Sequence, residues 1–322
     1  MFAVYADRFS QDDPLSALQV GERPDPEVPD GWTTVTVKAA SLNHHDLFSL
    51  RGVGLRKESL PMILGCDAAG HDENGNEVVV HAVVSDPSWA GDETFDPKRS
   101  LLSERFQGTF ADRVAVPRRN VVPKPASLSF EEAACLPTAW LTAYRMLFTR
   151  GGLRAGETVL VQGAGGGVAT AAITLGRAAG LRVLATSRDE AKRERALEIG
   201  AHDVFESGAR LPVKVDAVME TVGRATWSHS IRSLRPGGRI VTSGTTSGPK
   251  VDDAELTRIF FLQLSVIGST MGTRDELAAL VTMLDATGVR PLVDRALPMT
   301  EARDGFAAML GGDQFGKIVF TR

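Results

Sequence analysis

TVLVQGAGGGVATAAITLGRAAGLRVLATS, residues 158–187, is the stretch that decides the fold of this chain. An apolar, β-branched run from Thr158 to Val161 stops at a glycine-rich turn. An Ala-rich helical stretch follows, Gly180 ends it, and a second apolar run begins at Arg182. Strand, turn, helix and strand within about thirty residues form the unit in which a glycine-rich turn becomes a dinucleotide site. Glycines at 163, 165, 166 and 167 let the backbone approach a pyrophosphate. The free N–H groups and dipole at the following helix N-terminus stabilise its charge, with Val168 in the first turn. Ala169 stands where the fingerprint usually has its last glycine, a replacement the pattern tolerates.

Working outward, the full chain of 322 residues has room for two domains. An apolar fraction of 43% and a charged fraction of 24% are those of an ordinary soluble enzyme. Net charge is −4, which gives no electrostatic reason to expect nucleic acid or an anionic membrane as partner. No apolar run approaches membrane-spanning length, and Asp7 and Arg8 interrupt the start too early for a secretory leader, so the expected location is the cytoplasm. Cys66 and Cys135 are the only cysteines, too few for a Cys-rich zinc site, and are read as buried free thiols.

The first third is β-rich, with runs at 35–39, 78–84 and 110–116 punctuated by Pro and Gly. The stretch from Asp86 to Gln107 is polar, irregular and long. From Ser129 the pattern turns helical, and Glu131-Glu132 suits a first turn. Strands are expected at 159–162, 183–186, 203–205, 215–219, 239–243 and 264–268. Helices are expected at 189–199 and 225–234, the second closed by Pro236-Gly237-Gly238. Six strands alternating with helices describe a doubly wound parallel sheet in an α/β fold. Two more helices (273–287 and 300–310) and a strand, 317–321, come after the sheet is complete, so this tail is expected to return to the first domain.

Several further strings run along the chain: Ala40-Ser41-Leu42-Asn43-His44-His45-Asp46, Pro61 to Gly70, Gly108-Thr109-Phe110-Ala111, Leu136-Pro137-Thr138, Leu141-Thr142-Ala143-Tyr144, Arg235-Pro236-Gly237-Gly238 and Gly316-Lys317-Ile318-Val319. With the glycine turn, in this order and spacing, they make the chain resemble the medium-chain dehydrogenase/reductase superfamily, in its zinc-free quinone oxidoreductase-like branch. The resemblance implies a GroES-like β domain over residues 1–124, completed by 272–322, and a Rossmann nucleotide-binding domain over 125–271. The active site would lie in the cleft between them. Zinc-dependent members carry their ligands at positions matching Asn43, Gly65-Cys66-Asp67 and Thr138. Asn43 and Thr138 are poor zinc ligands, so no metal is expected. Asp86–Gln107, which has no Cys, would be a vestige of the family's structural zinc lobe.

The end of the second strand, where an NAD site usually has an acid, reads Thr186-Ser187-Arg188. Asp189 comes slightly late and suits the start of the next helix. Ser187, Arg188 and Lys192 are instead suited to a 2′-phosphate, so NADPH is expected in preference to NADH. The resemblance places Thr142, Ser243, Gly244, Thr270 and Met271 near the nicotinamide, His44 near the pyrophosphate, and Lys317 within reach of the cofactor.

Without zinc, a simple ketone lacks help for the charge developing on its oxygen. A quinone or an α,β-unsaturated carbonyl spreads that charge by conjugation, so hydrogen-bond donors suffice. The expected activity is therefore NADPH-dependent reduction of a conjugated carbonyl. His45 is the expected proton or hydrogen-bond donor, Asn43 a second donor, and Asp46 an orienter of the loop. Phe48 stands where some members have a tyrosine. Trp140, Phe48, Phe260 and Phe261 are candidates for an apolar substrate slot. Alternative readings are a zinc-free alcohol dehydrogenase, an enoyl-thioester reductase, or an NADPH-binding sensor or structural protein with little turnover. A homodimer is expected, its sixth strands paired across a two-fold axis.

Overall fold

The run Thr158–Val161 lies inside a six-stranded parallel sheet. Across the sheet the strands are Asp203–Glu206, Arg182–Ser187, Thr158–Val161, Val215–Glu220, Leu234–Thr242 and Ser265–Gly268. Numbered along the chain the order is 3-2-1-4-5-6, the doubly wound arrangement, whose winding reverses between the first and fourth strands. Val159, Leu160, Val161, Val183 and Leu184 have no solvent exposure. Strands covered on both faces read as continuous apolar runs, which is why they stand out in the sequence. Helices Gly167–Ala178, Glu190–Glu198 and Trp227–Ser233 connect them. The expected turn at Pro236-Gly237-Gly238 is different. Those residues lie within the extended run Leu234–Thr242, where a register shift opposite Val215–Ala217 takes up the extra length.

The structure is a computed structural model describing residues 1–322, and it divides into two units. One is Met1–Ala139 with Gly272–Arg322, the other Trp140–Met271. Helix Phe130–Ala134 packs on strands Trp32–Ser41 and Ala68–His71. Residues 125–139 therefore go with the first unit, where the sequence pattern groups them with the second.

In the first unit the ten-residue strand Trp32–Ser41 pairs with Ala68–His71, Arg113–Pro117 and the final strand Lys317–Thr321. Val319 stands opposite Ser41 in antiparallel register. The tail thus returns to this unit, and the pairing carries Lys317 alongside Leu42 and Asn43. Phe110, Phe306 and Phe320 meet edge-on or stacked in the core beneath this sheet. The Asp86–Gln107 stretch is ordered by a short turn at Glu93–Phe95 and by pairing of Ser100–Leu101 with Val83–Val84.

Candidate functional site

Each unit carries its own set of candidate groups. In the Rossmann unit, Gly163 (φ +72°) and Gly165 (φ +126°) adopt backbone conformations that L side chains rarely adopt. A Cβ on Gly163 would also sit 2.8 Å from Val222. Gly166 caps the 12-residue helix Gly167–Ala178, and a Cβ there would meet nothing within 4 Å, so the helix N-terminus opens onto free space. The first N–H groups of that helix, including those of Gly167 and Val168, have no intrahelical partner. Behind the turn, Ala164 N donates to Thr186 O at 2.7 Å, and buried Thr186 donates through Oγ1 to Gln162. These are the properties of a diphosphate cradle, and a dinucleotide fits it.

At the end of the second strand, Ser187 is buried and Arg188 is exposed. Asp189 caps the next helix, its Oδ1 accepting from Lys192 N at 3.1 Å. That carboxylate is committed to the helix, as its late position suggested. Arg193, which the sequence pattern did not single out, donates to Ser187 O at 2.9 Å and adds a second guanidinium beside the strand end. Thr142 is buried in the short helix Leu141–Tyr144. Ser243 donates to Met146 Sδ at 3.0 Å, and Gly244 packs against the backbone of Thr221. Thr270 is exposed, and Met271 takes a left-handed conformation (φ +47°) just before the chain leaves the unit. The proposed slot aromatics are split. Trp140 is fully buried core, whereas Phe260 and Phe261 are 68% and 76% exposed on helix Leu256–Phe261.

In the GroES-like unit, strand Trp32–Ser41 ends at a short helix, His44–Leu50, capped by Asn43. Asp46 closes this corner. Its Oδ2 accepts from Asn43 N and its Oδ1 from Gly65 N, both at 2.9 Å. Burial raises its carboxyl to about 6, against the pull of His45 and the two backbone donors. With both oxygens on backbone amides and no exposure, Asp46 ties Asn43 to Gly65.

Around Asn43 lies a buried network. Asp67 Oδ2 accepts from Ser41 Oγ and Asn43 Nδ2, each at 2.8 Å, and its Oδ1 accepts from Thr138 Oγ1. Lys317, only 3% exposed, donates from Nζ to Leu42 O at 2.7 Å and to Asn43 Oδ1 at 2.6 Å. Its ammonium is 3.7 Å from Asp67 Oδ2. One expectation changes here. Asn43 has no spare donor, because its amide also donates to Ser41 O at 3.3 Å. Lys317 is buried, its Nζ held by Leu42 and Asn43.

His45 sits next to this network. Its Nε2 is 3.1 Å from Glu104 Oε1, and its Nδ1 is 3.4 Å from Cys66 Sγ. Burial opposes charge on the ring, but Cys66, Glu104 and Asp46 outweigh it and raise the imidazole well above 6.5. Burial likewise pushes the Cys66 thiol up, and its Sγ also reaches Leu102 O at 3.3 Å. His44 is exposed one residue away. Both cysteines are buried and free. Asp67, Thr138 and Glu104 are the groups sequence reasoning missed as partners. They lie 24, 71 and 59 positions from the residues they bond here (Asn43, Asp67 and His45 in turn), and no local pattern links them.

The side chains at the metal positions named above do not fit zinc. Asn43 and Thr138 both donate to Asp67, so their hydrogens point into the cluster. A buried ammonium already stands there, and at an effective dielectric near 20 two unit charges about 4 Å apart repel by about 4 kcal/mol. His45, Asp46 and Cys66 also bring potential ligand atoms within 4.8 Å of one another. Of these, both Asp46 oxygens are taken, leaving too few donors for a closed site.

Two family models match the chain, the alcohol dehydrogenase GroES-like domain over residues 29–126 and the zinc-binding dehydrogenase over residues 167–286. An acryloyl-coenzyme A reductase of Sulfurisphaera tokodaii is 26% identical, covering 95% of this chain and 97% of its own. The human quinone oxidoreductase is 27% identical over 90% of this chain and 89% of its own. Among solved structures, an NAD-dependent alcohol dehydrogenase superposes with a TM-score of 0.92 at 32% identity, covering 100% of both chains.

Proposed function

Because the chain belongs to the medium-chain dehydrogenase/reductase superfamily of oxidoreductases, we propose that it is an NADPH-dependent, metal-independent reductase of quinones or α,β-unsaturated carbonyls. The observation that carries this reading is the pairing of an open glycine turn with a buried Asn43–Asp67–Thr138–Lys317 network at the positions of the family's zinc ligands. No helix is long and apolar enough to cross a membrane, which suits a small-molecule substrate met in water.

The bound nicotinamide supplies hydride. The amides around Gly165–Val168 hold the diphosphate, and Ser187, Arg188 and Lys192 hold the 2′-phosphate. The strand end reads Thr186-Ser187-Arg188 with no acid, which favours NADPH over NADH. His45, its imidazole raised well above 6.5, gives a proton to the substrate oxygen, completing a two-electron, two-proton reduction of a quinone or the saturation of an enone. A conjugated acyl thioester is the second reading, favoured by the acryloyl-coenzyme A reductases among the relatives. We also propose a homodimer through the edge strand Ser265–Gly268, flanked by exposed Leu256, Phe260 and Phe261.

The test is NADPH oxidation across quinones, enals, enones and enoyl-coenzyme A thioesters, read as kcat/KM. Turnover of the conjugated ketones or quinones with NADPH preferred supports the reading. Tight NADPH binding with no turnover on any of them would make this chain a sensor or structural protein instead. Sedimentation of wild type and Val266→Lys reads the dimer.

A further inference from the structure

Strand Val215–Glu220 ends on a carboxylate with no exposure, held by neutral donors instead of a lysine or arginine. Glu220 Oε1 accepts from Val222 N at 2.8 Å, from Gly223 N at 3.0 Å and from Thr226 Oγ1 at 2.8 Å. Its Oε2 accepts from Thr226 Oγ1 at 2.8 Å and from Ser230 Oγ, which in turn accepts from Gln162 Nε2 at 2.9 Å. A carboxylate away from both water and a cation is costly unless several donors converge on it. Here they curl the chain after the strand into a tight turn, Thr221–Gly223, and tie that turn to the start of helix Trp227–Ser233. The turn touches both neighbouring strand ends. Toward the first strand, a Cβ on Gly163 would sit 2.8 Å from Val222. Toward the fifth, Thr246 N donates to Thr221 O at 3.2 Å and Ser247 N to Val222 O at 2.8 Å, and a Cβ on Gly244 would sit 3.2 Å from Thr221 O.

We propose that Glu220 is a positioning residue for the nicotinamide half of the cofactor, fixing the turn Thr221–Gly223 as the wall along which that half of NADPH lies. This rests on the reading of the glycine turn as the diphosphate cradle. In that reading the sheet order sets the path of the dinucleotide. With its 2′-phosphate at the end of the second strand and its diphosphate at the first, the remaining half continues over the fourth, which stands next in the sheet. The winding reverses at that place, and ligands of such sheets lie in the crevice it leaves. Glu220 is buried beneath the turn with both oxygens occupied, so it acts through Val222 and Gly223. Its residue type matters because two acceptor oxygens serve two backbone amides and two hydroxyls together. Glutamine offers one acceptor oxygen and turns N–H groups toward the hydroxyls, and leucine leaves both amides without an acceptor.

The experiment measures dissociation constants of NADPH and of adenosine 2′,5′-bisphosphate by calorimetry on wild type, Glu220→Leu and Glu220→Gln. The bisphosphate carries the 2′-phosphate end of the cofactor and stops at the first phosphate of the diphosphate, short of the turn. In Glu220→Leu, NADPH is expected to bind about tenfold more weakly, and the bisphosphate within about twofold of wild type. A residue that merely supports the fold would not separate the two. Glu220→Gln should recover part of the NADPH affinity, and it carries the same readouts if Glu220→Leu fails to fold. Equal losses for the two nucleotides overturn the proposal, because the unit has then loosened as a whole, and so does an unchanged NADPH affinity. Wild-type protein that does not bind NADPH defeats the cradle reading itself, and the proposal with it.

Discussion

The two units carry their candidate chemistry in different materials. The Rossmann unit uses backbone: amides at a helix start, opened by glycines whose conformations other residues rarely adopt. The GroES-like unit uses side chains: a carboxylate, an amide, a hydroxyl and an ammonium locked together out of water. A backbone site is specified by a short continuous string and stays open to whatever anion fits. A side-chain network is specified by distant residues, and every donor in it already has an acceptor. The difference shows where each unit is fragile. The first breaks by adding a side chain, the second by removing one charge.

The largest effect should come from adding that side chain. Gly165→Val places a branched side chain at φ +126° inside the cradle. NADPH affinity, read by fluorescence titration, should fall by about a hundredfold or more, because the diphosphate loses several amide contacts worth about 1.5–3 kcal/mol each. Retained affinity would mean that the turn is not the cradle.

Removing the charge comes next. Lys317→Met leaves Asp67 buried without its cation, and breaking a buried pair costs about 3–5 kcal/mol. Urea unfolding should show a loss of that order, and Asp67→Asn in the same chain should recover part of it. If Lys317→Met is as stable as wild type, the ammonium is not part of the network's balance.

These two regions also differ in how far the sequence discloses them. Residues 158–187 reveal strand, turn and helix because glycine conformation and apolar periodicity are local properties. The doubly wound α/β sheet follows from the alternation of elements, and Asp189 reads as the start of a helix from the same local pattern. The second site is assembled by pairing Lys317–Thr321 with Trp32–Ser41, which brings together residues 43, 67, 138 and 317. The residue types at the metal positions are visible in the sequence. The net they form, the burial of Lys317 and the reach of Glu104 to His45 depend on tertiary contacts with no periodic trace. Pro236-Gly237-Gly238 misleads for a related reason. Two glycines and a proline read as a turn, but a register shift in the sheet absorbs them within a strand.

A smaller effect sharpens the cofactor assignment. Arg188→Ala should weaken NADPH binding about tenfold to a hundredfold through loss of one charge-assisted contact, with NADH unaffected. An equal loss for both nucleotides would place Arg188 on the diphosphate or on fold stability instead.

The smallest concerns pH and stability. His45 has its folded value raised above 6.5, so the stability it contributes is fully present below about 6.5 and is lost as pH rises through the raised value. The difference in melting temperature between wild type and His45→Gln should therefore shrink from pH 6 toward alkaline pH. A constant difference would mean that folding does not shift the imidazole.

The central claim, hydride transfer with an internal ammonium where relatives place a metal, is tested most directly by metal content and chelation in the same preparation. The account predicts less than about one-tenth of a zinc ion per chain and NADPH-dependent reduction of a conjugated carbonyl unchanged after dialysis against a strong chelator. Stoichiometric zinc, with activity lost on its removal and restored on its return, would contradict it.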